Sequence, residues 1–308
     1  MTEVLFHHYP QSPVSEKVRA VFGIKKLSWR SVEIPWIPPK PDLMPLTGGY
    51  RRTPVMQIGA DIYCDSCCII HELEHRFPNP TLFPGSSNGL DWGLSRWTDG
   101  ELFLLCVGVV LGSGLTQLPP DFAADRGRLY FGSGFNLESE ALALPYKLAQ
   151  LRTHFGWADE RLAESGDFML GDQPGLADAL LHHVVWFLHG RYSGGPELLD
   201  EFHHLVAWEQ RMLALGHGSV TELSSQDALA IARTATTKTS VQTDANDPQR
   251  FAPGANVQVR PDGDGGDPWV LGQLRVLTRD VIALDRIDPA VGEITVHFPR
   301  IGYRIEAA

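Results

Sequence analysis

The 308-residue sequence has little cysteine, no excess of positive charge and no long apolar run. Four cysteines are too few for a disulfide scaffold, so we expect a reduced, cytoplasmic protein. Lys and Arg number 26 against 37 Asp and Glu, a formal charge of −11. This balance argues against a nucleic-acid partner, because phosphate binding needs a basic face. The longest apolar run, residues 102–112, is too short to span a bilayer, so we expect no membrane partner.

Signals for export and for metal or phosphate binding are also missing from the sequence. The N-terminal stretch MTEVLFHHYP has neither the basic region nor the apolar region of a signal peptide. No glycine-rich loop has the form that cradles phosphate. Cys64, Cys67 and Cys68 lack a second pair of ligands, which favours core cysteines, so we expect no metal.

The first eighty residues combine strand and helix patterns and predict an α/β domain over 1–80. Predicted strands lie at 3–9, 27–34, 53–59 and 61–64, and predicted helices at 13–26 and 65–77. A loop rich in Pro and Gly, 35–50, separates the βαβ part from a ββα part.

After the first domain, the composition and the predicted secondary structure change twice along the chain. Helical patterns at 88–111, 138–165, 175–189 and 197–215 predict an all-α helical bundle over 86–218. Residues 219–250 are rich in Ser, Thr, Asp and Asn and predict a linker with one short helix. Residues 251–308 alternate over about five short strands, typical of a small all-β, barrel-like domain. Since so short a segment builds a small core by itself, we expect it to dock on the main body.

Three short stretches combine residues that suit either structure or ligand binding. Ser12 before Pro13 is a preferred helix start for structural reasons alone. Asp65-Ser66 opens another helix, whose free amides suit a carboxylate, although a plain N-cap pair explains it equally. Pro54 stands at a strand entry, where it removes one donor from the sheet.

Five short motifs, taken in order, resemble those of the glutathione S-transferase superfamily. They are SPVSEKVR (12–19), RTPVMQIG (52–59), CDSCCIIHELE (64–74), LGDQPGLADALL (170–181) and LVAWEQRM (205–212). The resemblance covers roughly residues 1–216 and implies a thioredoxin-like N-terminal domain, an all-helical second domain and a homodimer. It also implies glutathione, a thiol tripeptide with two carboxylates, as co-substrate.

The resemblance implies that a hydroxyl group stabilises the glutathione thiolate. A free thiol has a pKa near ~8.5, and one hydroxyl hydrogen bond together with a helix N-terminus can lower it by about two units. Ser12 is the first candidate, Tyr9 the second and Ser15 the third. Neither Ser12 nor Ser15 is a cysteine, which disfavours a mixed-disulfide mechanism at this turn.

The same resemblance implies the groups that hold the rest of the peptide. A cis peptide before Pro54 would present the main chain of Thr53 to the cysteinyl backbone. Ser66 and the amides around it would hold the γ-glutamyl carboxylate, with Asp65 facing the amine. For the glycyl carboxylate we favour Arg52, because it adjoins Thr53. Lys40 and Arg51 are the alternatives, and each of these three cations would otherwise be a solvated loop charge.

The expected second substrate is a small apolar electrophile. Trp36, Trp92, Trp97 and Phe103 would line its pocket between the domains, or would equally serve as core. The leading hypothesis is therefore a glutathione S-transferase-like enzyme that activates the thiol for attack on this electrophile. The alternative is a non-catalytic glutathione-binding or protein-interaction scaffold of the same fold, since a fold does not guarantee a reaction.

Overall fold

The structure is a computed structural model and describes residues 3–85, 88–114 and 117–308. The chain forms two compact units: unit 1 comprises residues 1–15, 28–73 and 219–308, and unit 2 comprises residues 16–27 and 74–218. Residue 86, the predicted start of the helical domain, lies outside the described residues, and the four-part domain division stays a prediction. In the described ranges no helix combines the length and apolar character needed to cross a membrane.

The first eighty residues contain the predicted strands and helices in the predicted order, with one addition: a short helix, Met44–Thr47, lies within the predicted loop 35–50. Further elements follow beyond residue 80. The strands are β1 Leu5–His8, β2 Ser28–Glu33, β3 Val55–Ile58, β4 Asp61–Cys64, β5 Ser219–Glu222, β6 Gln242–Thr243, β7 Asn256–Pro261, β8 Val270–Leu277, β9 Val281–Asp288, β10 Gly292–Pro299 and β11 Tyr303–Ala307. The helices are α1 Pro13–Ile24, α2 Met44–Thr47, α3 Ser66–Arg76, α4 Asn88–Arg96, α5 Phe103–Ser113, α6 Pro120–Phe131, α7 Leu137–Leu142, α8 Leu144–Ser165, α9 Leu176–Arg191, α10 Gly195–Leu199, α11 His203–Leu215 and α12 Ser225–Thr234. A π-helical segment, Trp97–Leu102, joins α4 to α5.

Unit 1 is built on one continuous mixed sheet. Its strand order is β11-β7-β8-β9-β10-β4-β3-β1-β2-β5, with β6 beside β8. The four strands β2, β1, β3 and β4 form the thioredoxin-like part, in which β1 is parallel to β2 and antiparallel to β3. Strand β10 pairs parallel with β4, and β5 pairs parallel with β2. Both outer strands of the thioredoxin-like sheet, β2 and β4, are therefore paired, and β5 and β11 become the outer strands of the extended sheet.

The C-terminal β-rich segment shares its core with the thioredoxin-like part. One cluster of buried apolar residues contains Leu46 and Ile62 from the first part together with Val259, Leu284 and Phe298 from the last. The docking of residues 251–308 that the sequence predicts is confirmed by this cluster and by the β4–β10 pairing. The fold class predicted from the sequence is confirmed as well: a thioredoxin-like domain, a helical domain and a C-terminal β-rich region.

A buried polar cluster fixes the register between β4 and β10. Asp61 accepts hydrogen bonds from His297 Nε2 at 3.1 Å and from the hydroxyls of Thr237 and Thr239, and the ring of His297 stacks on Tyr63. Burial alone would raise the pKa of Asp61, but these donors hold it at about 2. A one-residue slip of β10 would take the His297 donor away from this buried carboxylate, so the cluster disfavours other registers.

Unit 2 contains most of α1, the end of α3 and the helices α4 to α11. Helix α5 packs against α7 and α8, and α9 packs against α4, α5 and α11. The predicted helix 88–111 is divided by the π-helical segment, within which Gly100 has non-helical torsions of φ −99° and ψ −109°. Helix α6 is not among the predicted helices: it begins at Pro120, the last residue of a stretch rich in Gly and Pro, GSGLTQLPP (112–120). The predicted helices 175–189 and 197–215 correspond to α9 and to α10 with α11.

Candidate active site

Three strands of unit 1, β1, β3 and β4, bring the sequence-predicted stretches to one end of the sheet. His7 lies opposite Val55 in β3, and Val55 lies opposite Cys64 in β4. The chain therefore leaves β1 towards Ser12, enters β3 from Thr53-Pro54 and leaves β4 towards Asp65-Ser66 at the same end of these strands. This end of the sheet is called the sheet edge below. The stretches near 12, 54 and 66 converge as a consequence of strand register.

Ser12 caps helix α1. Its Oγ accepts a hydrogen bond from the Ser15 amide at 3.1 Å, while its own amide donates to the Tyr9 carbonyl at 3.1 Å. Ser12 is only 2% exposed. Because a serine hydroxyl accepts and donates at once, the cap leaves its proton free to be donated to sulfur. The structural role of Ser12 and its role in the thiolate hypothesis are therefore compatible.

The two rival hydroxyls differ in their surroundings. The ring of Tyr9 lies 6.3 Å from that of Trp36, and Tyr9 is 7% exposed. Ser15 is fully buried, and its Oγ has no hydrogen-bond partner among the described residues. Burial does not separate Ser15 from Ser12, which is 2% exposed, so all three hydroxyls stay candidates.

The Thr53–Pro54 peptide is cis, as the resemblance implies. Lys40 lies beneath this turn: it is buried and donates to Thr53 Oγ1 at 2.7 Å and to the Arg51 carbonyl at 3.0 Å. Lys40 therefore supports the turn through hydrogen bonds with good geometry rather than extending as a solvated charge.

Asp65 and Ser66 stand at the start of α3. Asp65 has a left-handed φ of 78°, and its Oδ1 accepts the Cys67 amide at 2.8 Å. Its Oδ2 accepts a hydrogen bond from the hydroxyl of Tyr303 at 3.0 Å. Ser66 is buried at the first turn of the helix. The first amides of α3 and a carboxylate thus occupy the sheet edge together, which suits a zwitterionic γ-glutamyl group.

Arg52 forms an ion pair with the C-terminal segment. Its Nε and Nη2 donate to the two carboxylate oxygens of Asp267 at 2.9 and 2.6 Å. Burial alone would lower the pKa of Arg52, but the hydrogen bonds and negative charge of Asp267 hold it above its ordinary value. The cation favoured for the glycyl carboxylate is therefore already paired with a carboxylate of the protein.

The four aromatic residues expected at the electrophile pocket have different environments. Trp92, in unit 2, has its ring 6.2 Å from that of Phe83. Trp36, in unit 1, is 43% exposed. Trp97, in unit 2, donates from Nε1 to His154 Nδ1 at 2.9 Å. Phe103, also in unit 2, is buried with its ring 5.2 Å from that of Tyr130 and 5.7 Å from that of His183. The pocket itself stays a prediction.

Sequence reasoning missed Asp267 and Tyr303. Both lie more than two hundred residues from the site in sequence, in the segment for which the resemblance supplies no motif. The one available signal was the pattern of the last strands, in which Tyr303 opens β11 directly after the β10 turn. In the described part of the chain, no group of three or more His, Cys, Asp or Glu side chains is arranged to hold a metal ion.

The thioredoxin-like sheet and the helical domain define a class of fold, and comparison with known proteins identifies the family. The N-terminal domain model of glutathione S-transferases matches residues 6–81, and the C-terminal domain model matches residues 121–211. A GST-like protein from Pseudomonas syringae is 35% identical, with all of both chains covered and a TM-score of 0.78. The chain belongs to the glutathione S-transferase family.

More distant structures share the fold alone. FzlA from C. crescentus is 20% identical, with 68% of this chain and 87% of that chain covered and a TM-score of 0.52. The beta-etherase LigF from Sphingobium sp. is 16% identical, with 70% and 96% covered and a TM-score of 0.52. Both cover about two thirds of this chain, whereas the Pseudomonas syringae protein covers all of it. A search of curated proteins finds no match.

Proposed function

We propose that the chain is a glutathione transferase in which Ser12 stabilises the glutathione thiolate for attack on an apolar electrophile. Family membership supports a glutathione-transferase type of function in general, and the identity of the hydroxyl and of the electrophile belongs to the proposal. The observation that carries it is the position of Ser12 at the N-terminus of α1, on the sheet edge where Thr53-Pro54 and Asp65-Ser66 also lie.

The reaction needs little from the protein beyond position and charge. The Ser12 hydroxyl would donate to sulfur while the amide end of α1 adds its positive field, and both favour the thiolate over the thiol. The main chain at Thr53 would hold the cysteinyl backbone. Ser66, the first amides of α3 and Asp65 would hold the γ-glutamyl end. The thiolate then forms a carbon–sulfur bond with the electrophile, whose leaving group departs with the electron pair.

The remaining parts of the proposal come from the resemblance. Trp36, Trp97 and Phe103 would form the apolar pocket, Arg52 would face the glycyl end, and the protein would be a cytoplasmic homodimer. The family match does not favour the alternative of a non-catalytic scaffold, in which glutathione would bind as the protonated thiol.

The ionisation state of the bound glutathione thiol distinguishes the transferase from the non-catalytic scaffold. Ultraviolet difference absorbance of bound glutathione, titrated with pH, should give a thiol pKa about two units below the free value of ~8.5. Ser12→Ala should return that pKa close to the free value, because the hydroxyl donor is lost, and Tyr9→Phe should leave it unchanged. A bound thiol that stays protonated at neutral pH in the unmodified protein would instead support the scaffold. If Tyr9→Phe alone raises the pKa, Tyr9 is the donor.

A further inference from the structure

Two side chains of the C-terminal segment 251–308 contact charged residues of the candidate glutathione site. Asp267 pairs with Arg52, and Tyr303 donates to Asp65 and lies 3.1 Å, hydroxyl to hydroxyl, from Tyr50. Strand β10 runs parallel to β4 and ends at the same sheet edge, so the turn leading to Tyr303 is fixed there by strand register. The segment therefore belongs to the site by topology as well as by contact.

The Arg52–Asp267 pair has the geometry of a strong, partly desolvated interaction. Two nitrogens of one guanidinium donate to two oxygens of one carboxylate, which is the bidentate arrangement. The Asp267 side chain is 4% exposed and that of Arg52 is 27% exposed. Exposed ion pairs contribute little, but a buried carboxylate that loses its cation is strongly destabilising. Asp267 will therefore not release Arg52 readily.

A ligand carboxylate that approaches Arg52 encounters a guanidinium that is already hydrogen-bonded to Asp267. The edge of the guanidinium formed by Nε and Nη2 is occupied, and an incoming carboxylate at the remaining edge would stand close to the negative charge of Asp267. Like charges at such short range repel, and Asp65 adds a further negative charge to the same cluster through Tyr303. With Asp267 and Asp65 already present, the site therefore binds a ligand carboxylate less favourably than an unpaired Arg52 would.

We propose that Asp267 is a specificity-determining residue, whose carboxylate competes with the C-terminal carboxylate of a bound γ-glutamyl thiol peptide for Arg52. This inference rests on the proposed glutathione site. It predicts that γ-glutamyl thiols that lack the glycyl carboxylate, or carry it as an ester or amide, bind as well as glutathione does. In this chain the C-terminal segment thereby takes part in choosing the thiol substrate.

Calorimetric titration with glutathione and with its glycyl monoethyl ester tests the inference, since the two probes differ at one carboxylate. The unmodified protein should bind both with affinities that agree within about three-fold, because Arg52 is engaged by Asp267. Asp267→Asn keeps the side-chain shape and removes the charge. It should raise glutathione affinity by about 5- to 30-fold and leave ester affinity within about two-fold.

Two further variants make the test specific. Asp262→Asn removes the carboxylate of an exposed pair, Asp262–Arg304, in the same turn region and should change neither affinity. The double variant Asp267→Asn with Arg52→Gln should not show the rise in glutathione affinity, because it lacks the guanidinium that Asp267→Asn would release. The comparison of the two probes on the unmodified protein needs no substitution, so it stands even where a variant fails to fold.

Three results would overturn the inference. The unmodified protein could bind glutathione more than about ten-fold tighter than its ester, which would show that a cation already holds the glycyl carboxylate. Asp267→Asn could leave glutathione affinity unchanged or lower it, which would make Asp267 a structural or orienting partner of Arg52. No binding of either probe to any variant would overturn the proposed function itself, and the inference with it.

Discussion

Replacing Ser12 by alanine lowers kcat/KM for transfer of glutathione to an activated aryl halide by about 10- to 100-fold at neutral pH. The reason is thiol ionisation: without the hydroxyl donor, most of the bound thiol is protonated at this pH. The loss should shrink as the pH rises above ~8.5, because the thiol then ionises without assistance. Initial rates across this pH range, at saturating electrophile, provide the measurement.

The same substitution also removes a helix cap, which costs about 0.5–2 kcal/mol of stability whatever the catalytic role. Ser224→Ala is a matched control, because Ser224 caps α12 through the Asp227 amide in the same way. Ser12→Thr keeps a hydroxyl and should recover most of the activity. If Ser12→Ala retains the full rate and an unchanged pH profile, Ser12 is a cap alone.

Asp178→Ala lowers the free energy of unfolding by about 3–5 kcal/mol. Asp178 is 1% exposed and accepts the amides of Met169 and Gly175 and the indole Nε1 of Trp208, at 2.8, 2.9 and 2.8 Å. Burial raises its pKa to about 6, against the opposing effect of these donors, so the group is ionised at neutral pH. Alanine would leave three buried N–H groups without an acceptor.

Urea unfolding monitored by tryptophan fluorescence measures this loss. Asp159→Ala is the control in the same unit: Asp159 lies within α8, is partly exposed, and accepts one main-chain amide at the start of α11, that of Leu205, at 2.9 Å. Its other oxygen lies 3.3 Å from His204 Nδ1. We expect the control to lose about 1 kcal/mol. A loss below about 1.5 kcal/mol in Asp178→Ala would show that the three donors find other partners.

The thioredoxin-like elements could be predicted from sequence because their signals are local. Strands β1 to β4 and helices α1 and α3 follow from alternation, helix spacing and cap residues within a few positions of one another. Helix α1 was predicted from its apolar residues only. Its buried charges depend on tertiary partners that no local pattern reveals: Lys17 pairs with Asp99, and Glu16 lies 2.8 Å from His217 Nε2.

The departure of the α9 cap from the family pattern shows how tertiary packing overrides a local rule. The resemblance predicts Ser or Thr at position 175, and the chain has glycine. A Cβ at this position would meet the Leu82 carbonyl oxygen at 2.8 Å and Pro84 Cδ at 2.9 Å. Close approach of the main chain therefore requires glycine, and the Asp178 carboxylate alone satisfies the cap.

Part of the site could be predicted from sequence because several of its residues lie in short local motifs. Ser12, Thr53-Pro54 and Asp65-Ser66 lie within short motifs, and strand register brings these motifs together. Asp267 and Tyr303 reach the site through the β4–β10 pairing, which joins residues far apart in the chain. No periodicity within residues 251–308 indicates which strand of the first domain they meet. Partners of this kind become visible only when the sheet order is known.

Calorimetric titration of the unmodified protein with reduced glutathione tests the central claim, that the sheet edge carrying Ser12, Pro54 and Ser66 binds this peptide. We predict saturable heat with one site per chain, abolished or strongly weakened in Ser66→Ala. Absence of heat at millimolar glutathione, or equal heat in the Ser66 variant, would contradict the account.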